Sequence, residues 1–136
     1  MRRAVLVDSG VLYALVARSD QHYARAQAEQ QHFTAERREL VVLYPVLTET
    51  YRLISQHAPL RDAHHWLRSV SGSATLHNPL DEDYLQAVQL VQRYQDQAIS
   101  LVDAILAVVS PRLDIPVWSY DHHVDILRVP RWIPDY

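Results

Sequence analysis

Apolar positions along the chain follow two spacings that alternate from end to end. AVLV (4–7) and LVVLY (40–44) are short unbroken runs of mostly branched apolar residues, the pattern of strands buried on both faces of a parallel sheet. SATLH (73–77) and PVWS (116–119) are briefer strand candidates. Between them the period lengthens to that of helices. GVLYALVAR (10–18) follows Asp8 and Ser9, either of which can cap it. Residues 20–38 are polar and rich in Ala and Gln, which predicts an exposed helix with Tyr23, Ala26 and Phe33 turned inward. Pro45 suits the first turn of a helix carrying Val46, Leu47, Thr50, Leu53 and Ile54, and Pro59 separates it from a further helix over 60–70. Asp81 is expected to cap an amphipathic helix whose buried stripe comprises Tyr84, Leu85, Val88, Val91 and Tyr94. Residues 100–113 are apolar on nearly every side and predict a central helix; YDHHVDIL reads as a turn, and RVPRWIPDY as an edge strand at most. Strands alternating with helices predict an α/β three-layer sandwich, a mainly parallel central sheet flanked by helices. With 136 residues, 49% of them hydrophobic, a single domain over 1–136 is expected.

Composition narrows the chemistry. A net charge of −3 argues against non-specific coating of nucleic acid, which runs on phosphate neutralisation, but leaves room for a local basic patch. All 13 basic residues are arginines, so Schiff-base, P-loop and receiver-domain lysines are excluded. Cysteine is absent, which removes thiol catalysis, cysteine zinc sites and disulfides and is compatible with a reducing compartment. The start, MRRAVLVDSGVLYALVA, has the look of a signal peptide, but Asp8 interrupts the apolar run and the remainder is short for a span. A cytoplasmic protein without a membrane partner is the expectation.

Four acids stand in unusual places. Asp8 ends the first strand, Glu49 lies early in the helix after the second, Asp103 interrupts SLVDAILAVVS, and Asp121 follows PVWSY. Ligands of open α/β sheets bind outside the carboxyl ends of the strands; Asp8 and Asp121 fall at two such ends, and the helices of Glu49 and Asp103 can start on the same side. Each acid has a structural alternative: an N-cap for Asp8, a solvated helix position for Glu49, a capping box with Ser100 for Asp103, and a turn with Ser119 for Asp121. Gathered together, however, four carboxylates would repel one another unless a cation intervened, and carboxylate oxygens are the ligands that Mg²⁺ and Mn²⁺ prefer.

The ordered series VLVDSGVLYAL, VLTETYRLI, SLVDAILAVVS, VWSYDHHVDIL resembles a PIN domain, and within that family the VapC-like toxins of bacterial toxin–antitoxin pairs. The resemblance covers essentially the whole chain. It implies a parallel sheet with Asp8, Glu49, Asp103 and Asp121 as the catalytic, metal-binding acids of an Mg²⁺- or Mn²⁺-dependent endoribonuclease that leaves a 5′-phosphate and a 3′-hydroxyl. Ser9, Ser100 and Ser119 match positions where a small hydroxyl residue supports the acids. It also implies an RNA substrate, an antitoxin whose tail covers the acidic groove, and a homodimer. The chain departs from the family at Val124, where an aromatic residue is common. Asp125, one turn after Asp121, reads as a supporting or surface acid. Arg52, three residues after Glu49, can contact substrate phosphate or pair with Glu49. Tyr51 to Trp66 and Trp132 to Tyr136 offer apolar and aromatic partner contacts, with Trp66 and Trp132 alternatively completing the core. Other readings are a non-catalytic PIN-like module that binds RNA or protein, and a solitary housekeeping nuclease. The DHH string also resembles the DHH phosphoesterases, but those are longer and need further acidic motifs, so most of the eight histidines are expected at the surface.

Overall fold

A computed structural model describes residues 3–134. Four strands, β1 (Ala4–Val7), β2 (Glu39–Leu43), β3 (Thr75–His77) and β4 (Val117–Trp118), form one sheet in the order β3-β2-β1-β4. Every pairing is parallel, with Val5 opposite Leu40, Leu6 opposite both Val41 and Val117, and Val42 opposite Leu76. β1 lies inside the sheet, and all four of its residues are buried, as its unbroken apolar run demands.

Seven helices accompany the sheet among the described residues: α1 (Ser9–Val16), α2 (Tyr23–Ala35), α3 (Tyr44–His57), α4 (Leu60–Ser73), α5 (Asp81–Arg93), α6 (Leu101–Leu113) and the short α7 (His123–Ile126). Parallel crossovers are right-handed. The steps from β1 through β2 to β3 therefore put α1–α4 on one face, and the return to β4 puts α5 and α6 on the other. The packing agrees, since α1 contacts α2 and α3, α3 contacts α4, and α5 contacts α6. The result is the sandwich expected from the sequence. The carboxyl ends of β1 and β4 lie side by side, with Asp8 N–H donating to the Trp118 carbonyl at 3.0 Å just past the last paired residues.

Local expectations fared unevenly. Pro45 occupies the first turn of α3, and Trp66 and Trp132 are core residues. The tail adds one isolated bridge, Val117 to Arg131; residues 135 and 136, part of the segment offered for partner contacts, lie outside the described residues. Two readings of α5 are corrected. Leu80, not Asp81, occupies the cap position, and the Asp83 carboxylate accepts the Leu80 N–H at 2.8 Å. Leu85 and Val88 are not in the buried stripe but 60% and 43% exposed. The helix buries Asp83 and Ala87 instead, and Leu85 lies roughly 200° around the axis from Asp83. No helix among the described residues is long and apolar enough to cross a membrane.

Candidate metal centre

Asp8 is placed by the end of β1, where its extended backbone caps α1. One carboxylate oxygen accepts the Ser9 N–H at 2.8 Å and the other the Ser119 hydroxyl at 2.7 Å. Asp103 stands in the first turn of α6, where its N–H donates to the Ser100 hydroxyl at 3.1 Å, one arm of the anticipated capping box. The cap and the site are thus compatible: the backbone of Asp103 is capped while its side chain faces the cleft. Asp121 follows β4, its N–H donating to the Ser119 hydroxyl at 3.0 Å. Ser119 therefore fixes two acids at once.

One carboxylate oxygen from each of Asp8, Asp103 and Asp121 lies within 4.8 Å of the other two. Glu49 is outside this triad, but it lines the same cleft of about 370 Å³ and accepts a short hydrogen bond from the Ser9 hydroxyl, which also lies 3.4 Å from Asp8. Ser100 lines the cleft too. Asp125 does not line it, and its carboxylate pairs with Arg131 at 2.8 Å. Arg52 is exposed, and among the described residues no ion pair joins it to Glu49, so that expected pairing is corrected.

Asp8 and Asp103 are each only 5% exposed. Burial pushes the Asp8 carboxyl up from 3.8 to about 6, against the Ser119 and Ser9 hydrogen bonds, with Asp103 and Asp121 adding to the rise. Burial and then Asp121 likewise raise the Asp103 carboxyl, opposed by Ser100 and His123. Serine hydroxyls orient these carboxylates but bring no positive charge. A divalent cation fits this donor set on two grounds. Oxygen ligands suit Mg²⁺ and Mn²⁺, and the buried Nδ1 of His123, 3.1 Å from Asp121 and 3.4 Å from Asp103, has no hydrogen-bond partner.

Three supporting residues escaped the sequence. Arg131, in the proline-rich tail, donates to the Ser119 carbonyl and, at 2.8 Å, to the Asp121 carbonyl, tying down the loop that carries Asp121. Glu29, on the helix read as exposed, is buried and accepts from Trp118 Nε1 at 2.9 Å and Tyr120 OH at 2.6 Å, anchoring both sides of Ser119. Burial, and then Glu29, push the Tyr120 hydroxyl above its ordinary range. His123, expected at the surface, sits against the acids with its side chain 14% exposed. Only the density of histidines in DHH hinted at it.

Three acids, two of them buried, thus gather at the carboxyl edge of a parallel sheet and are braced by serines. Residues 5–130 match the family model of the PIN domain, and the chain belongs to that family. Among solved structures it is similar to VapC20 of Mycobacterium tuberculosis, a sarcin-ricin loop cleaving toxin, at 19% identity and TM-score 0.82 over 96% of this chain and 99% of that one. It is also similar to VapBC2 of Rickettsia felis, solved on a DNA fragment from the promoter of its genes, at 9% identity and TM-score 0.71 over 97% and 99%. A toxin–antitoxin complex from Klebsiella pneumoniae matches at 16% identity and TM-score 0.59 over 87% of each chain. At these identities the likeness is one of fold. No curated protein sequence matches.

Proposed function

We propose that this chain is the endoribonuclease toxin of a toxin–antitoxin pair, working in the cytoplasm and dependent on Mg²⁺ or Mn²⁺. The observation that carries the reading is the triad of Asp8, Asp103 and Asp121, two of its members buried, with no Arg among the described residues ion-paired to its carboxylates. Asp8, Asp103 and Asp121 would hold the ion, and Glu49 lines the same cleft, accepting a hydrogen bond from the Ser9 hydroxyl. When bound, such an ion lowers the pKa of an attacking water and neutralises charge developing on the phosphodiester. The chain's own part is to fix the ligands: Ser119 and Ser9 orient the carboxylates, and Arg131 and Glu29 hold the loop on which Asp121 rides. Tyr13, His22 and Tyr120 line the same cleft, the Tyr120 ring carrying Arg25 at 4.4 Å and packing against His22, and aromatic rings of this kind are what unpaired bases stack on.

Membership of a family whose solved relatives include toxin–antitoxin complexes supports an antitoxin partner. A cavity of about 710 Å³ between α1, α3 and α4, lined by Tyr13, Val16, Ile54, Ala58 and Trp66, suits an apolar segment of that partner. The apolar Leu85 and Val88 on α5 suit a second copy of the chain in a homodimer, which light scattering would detect. The function is tested by incubating purified protein with structured and single-stranded RNAs. The reading expects cleavage to 5′-phosphate products with Mg²⁺ or Mn²⁺ and none with EDTA. Cleavage indifferent to EDTA, or none with either ion, would contradict it.

A further inference from the structure

A second group of ligand atoms shares Asp121. One atom each from Asp121, His122 and His123 lies within 4.8 Å of the others, at the outer side of the acid triad. Both imidazoles aim Nδ1 at the same Asp121 oxygen, His123 from 3.1 Å and His122 from 3.6 Å. Neighbouring helical residues ordinarily diverge by about 100°. Here the turn before α7 brings them together: the His123 N–H donates to Asp121 Oδ1 at 2.9 Å, and the two ring centroids are 4.2 Å apart. Arg131 holds the backbone of this turn through the Asp121 carbonyl. The His123 Nδ1 is closed off from solvent and makes no hydrogen bond, although it stands 3.1 Å from Asp121 and 3.4 Å from Asp103.

The two groups differ in chemistry. Asp8, Asp103 and Asp121 offer oxygen alone, which suits Mg²⁺ as well as Mn²⁺. Asp121, His122 and His123 offer one oxygen and two imidazole nitrogens, a set that suits first-row transition ions and suits Mg²⁺ poorly. We propose that Asp121 bridges two cation positions, and that the outer one, built by His122 and His123, takes a transition-metal ion in preference to Mg²⁺. This extends the reading of the acid triad as a cation site and rests on it.

The test uses the full chain, Mn²⁺ as the probe and pulsed electron paramagnetic resonance as the readout. Wild-type protein is expected to show Mn²⁺ coupled to directly bound nitrogen, and the coupled fraction should survive an excess of Mg²⁺ that empties the oxygen-only position. A His122→Gln/His123→Gln variant, its fold checked by circular dichroism, should keep the Mg²⁺-displaceable Mn²⁺ and lose the nitrogen coupling, with stoichiometry by calorimetry falling from two ions to one. Mn²⁺ bound by wild type without nitrogen coupling, or coupling unchanged in the double variant, would overturn the outer position while leaving the acid triad intact. No Mn²⁺ binding at all would overturn both.

Discussion

Asp83 and Asp8 stand at the starts of helices on opposite faces of the sheet, 2% and 5% exposed, and each accepts a backbone N–H at 2.8 Å. What faces their remaining oxygens differs. Asp83 meets Arg112, whose Nε and Nη2 approach its two oxygens at 2.9 and 2.5 Å. Burial pushes the Asp83 carboxyl up, but the Arg112 and Leu80 hydrogen bonds outweigh it and hold the group below its usual value. Asp8 meets a serine hydroxyl and two other acids, and is pushed up to about 6. A buried carboxylate compensated by an arginine is part of the framework. One met only by a hydroxyl and a backbone N–H, beside more carboxylates, is arranged for a cation.

Breaking each side of this comparison should give opposite results. Asp103→Asn should lower metal-dependent RNA cleavage by roughly 10³-fold, on the scale of losing a principal electrostatic contact in a reacting centre, while the metal-free protein melts no lower than wild type. Arg112→Met should do the reverse. It leaves Asp83 buried and unpaired and should cost about 3 kcal/mol in urea denaturation, with cleavage per folded molecule unchanged. A capping role alone for Asp103 would show instead as lost stability with activity intact.

The pH dependence sharpens the contrast. The folded value of Asp8 lies above its unfolded value, so its contribution is complete below about pH 4 and is lost as pH rises through about 6. Over that window metal-free protein should lose at most about 3 kcal/mol from this group, and Asp8→Asn should flatten the slope. Asp83 runs the other way, contributing above its unfolded value and losing that contribution as pH falls. Denaturation curves across pH 4–8 in EDTA and in Mg²⁺ would read both, with stabilisation by Mg²⁺ growing as pH rises. A metal effect independent of pH would speak against ionised ligands.

How much of this the sequence disclosed depended on distance along the chain. β1, β2, α1, α3 and α6 were visible because their apolar spacing is local, and Asp8, Asp103 and Asp121 because each breaks or ends such a run. The bracing was not. Glu29 sits on a polar helix and takes its meaning from Trp118 and Tyr120, 89 and 91 positions away. Asp83 draws its burial from Arg112, 29 positions on, which is why a helix with Leu85 and Val88 could turn a carboxylate inward and leave them outside. Arg131 lies in the proline-punctuated tail and His123 was expected with most histidines at the surface; the contacts of both with the Asp121 loop arise only in the folded chain.

The central claim is that the Asp8–Asp103–Asp121 cluster exists to hold a divalent ion. Crystals of the protein soaked in Mn²⁺ and measured at the manganese absorption edge test it directly. The account predicts an anomalous peak contacted by carboxylate oxygens of Asp8, Asp103 and Asp121, absent from Asp103→Asn crystals or greatly weakened there. An Mn²⁺-soaked wild-type crystal with no peak among those three side chains would contradict it.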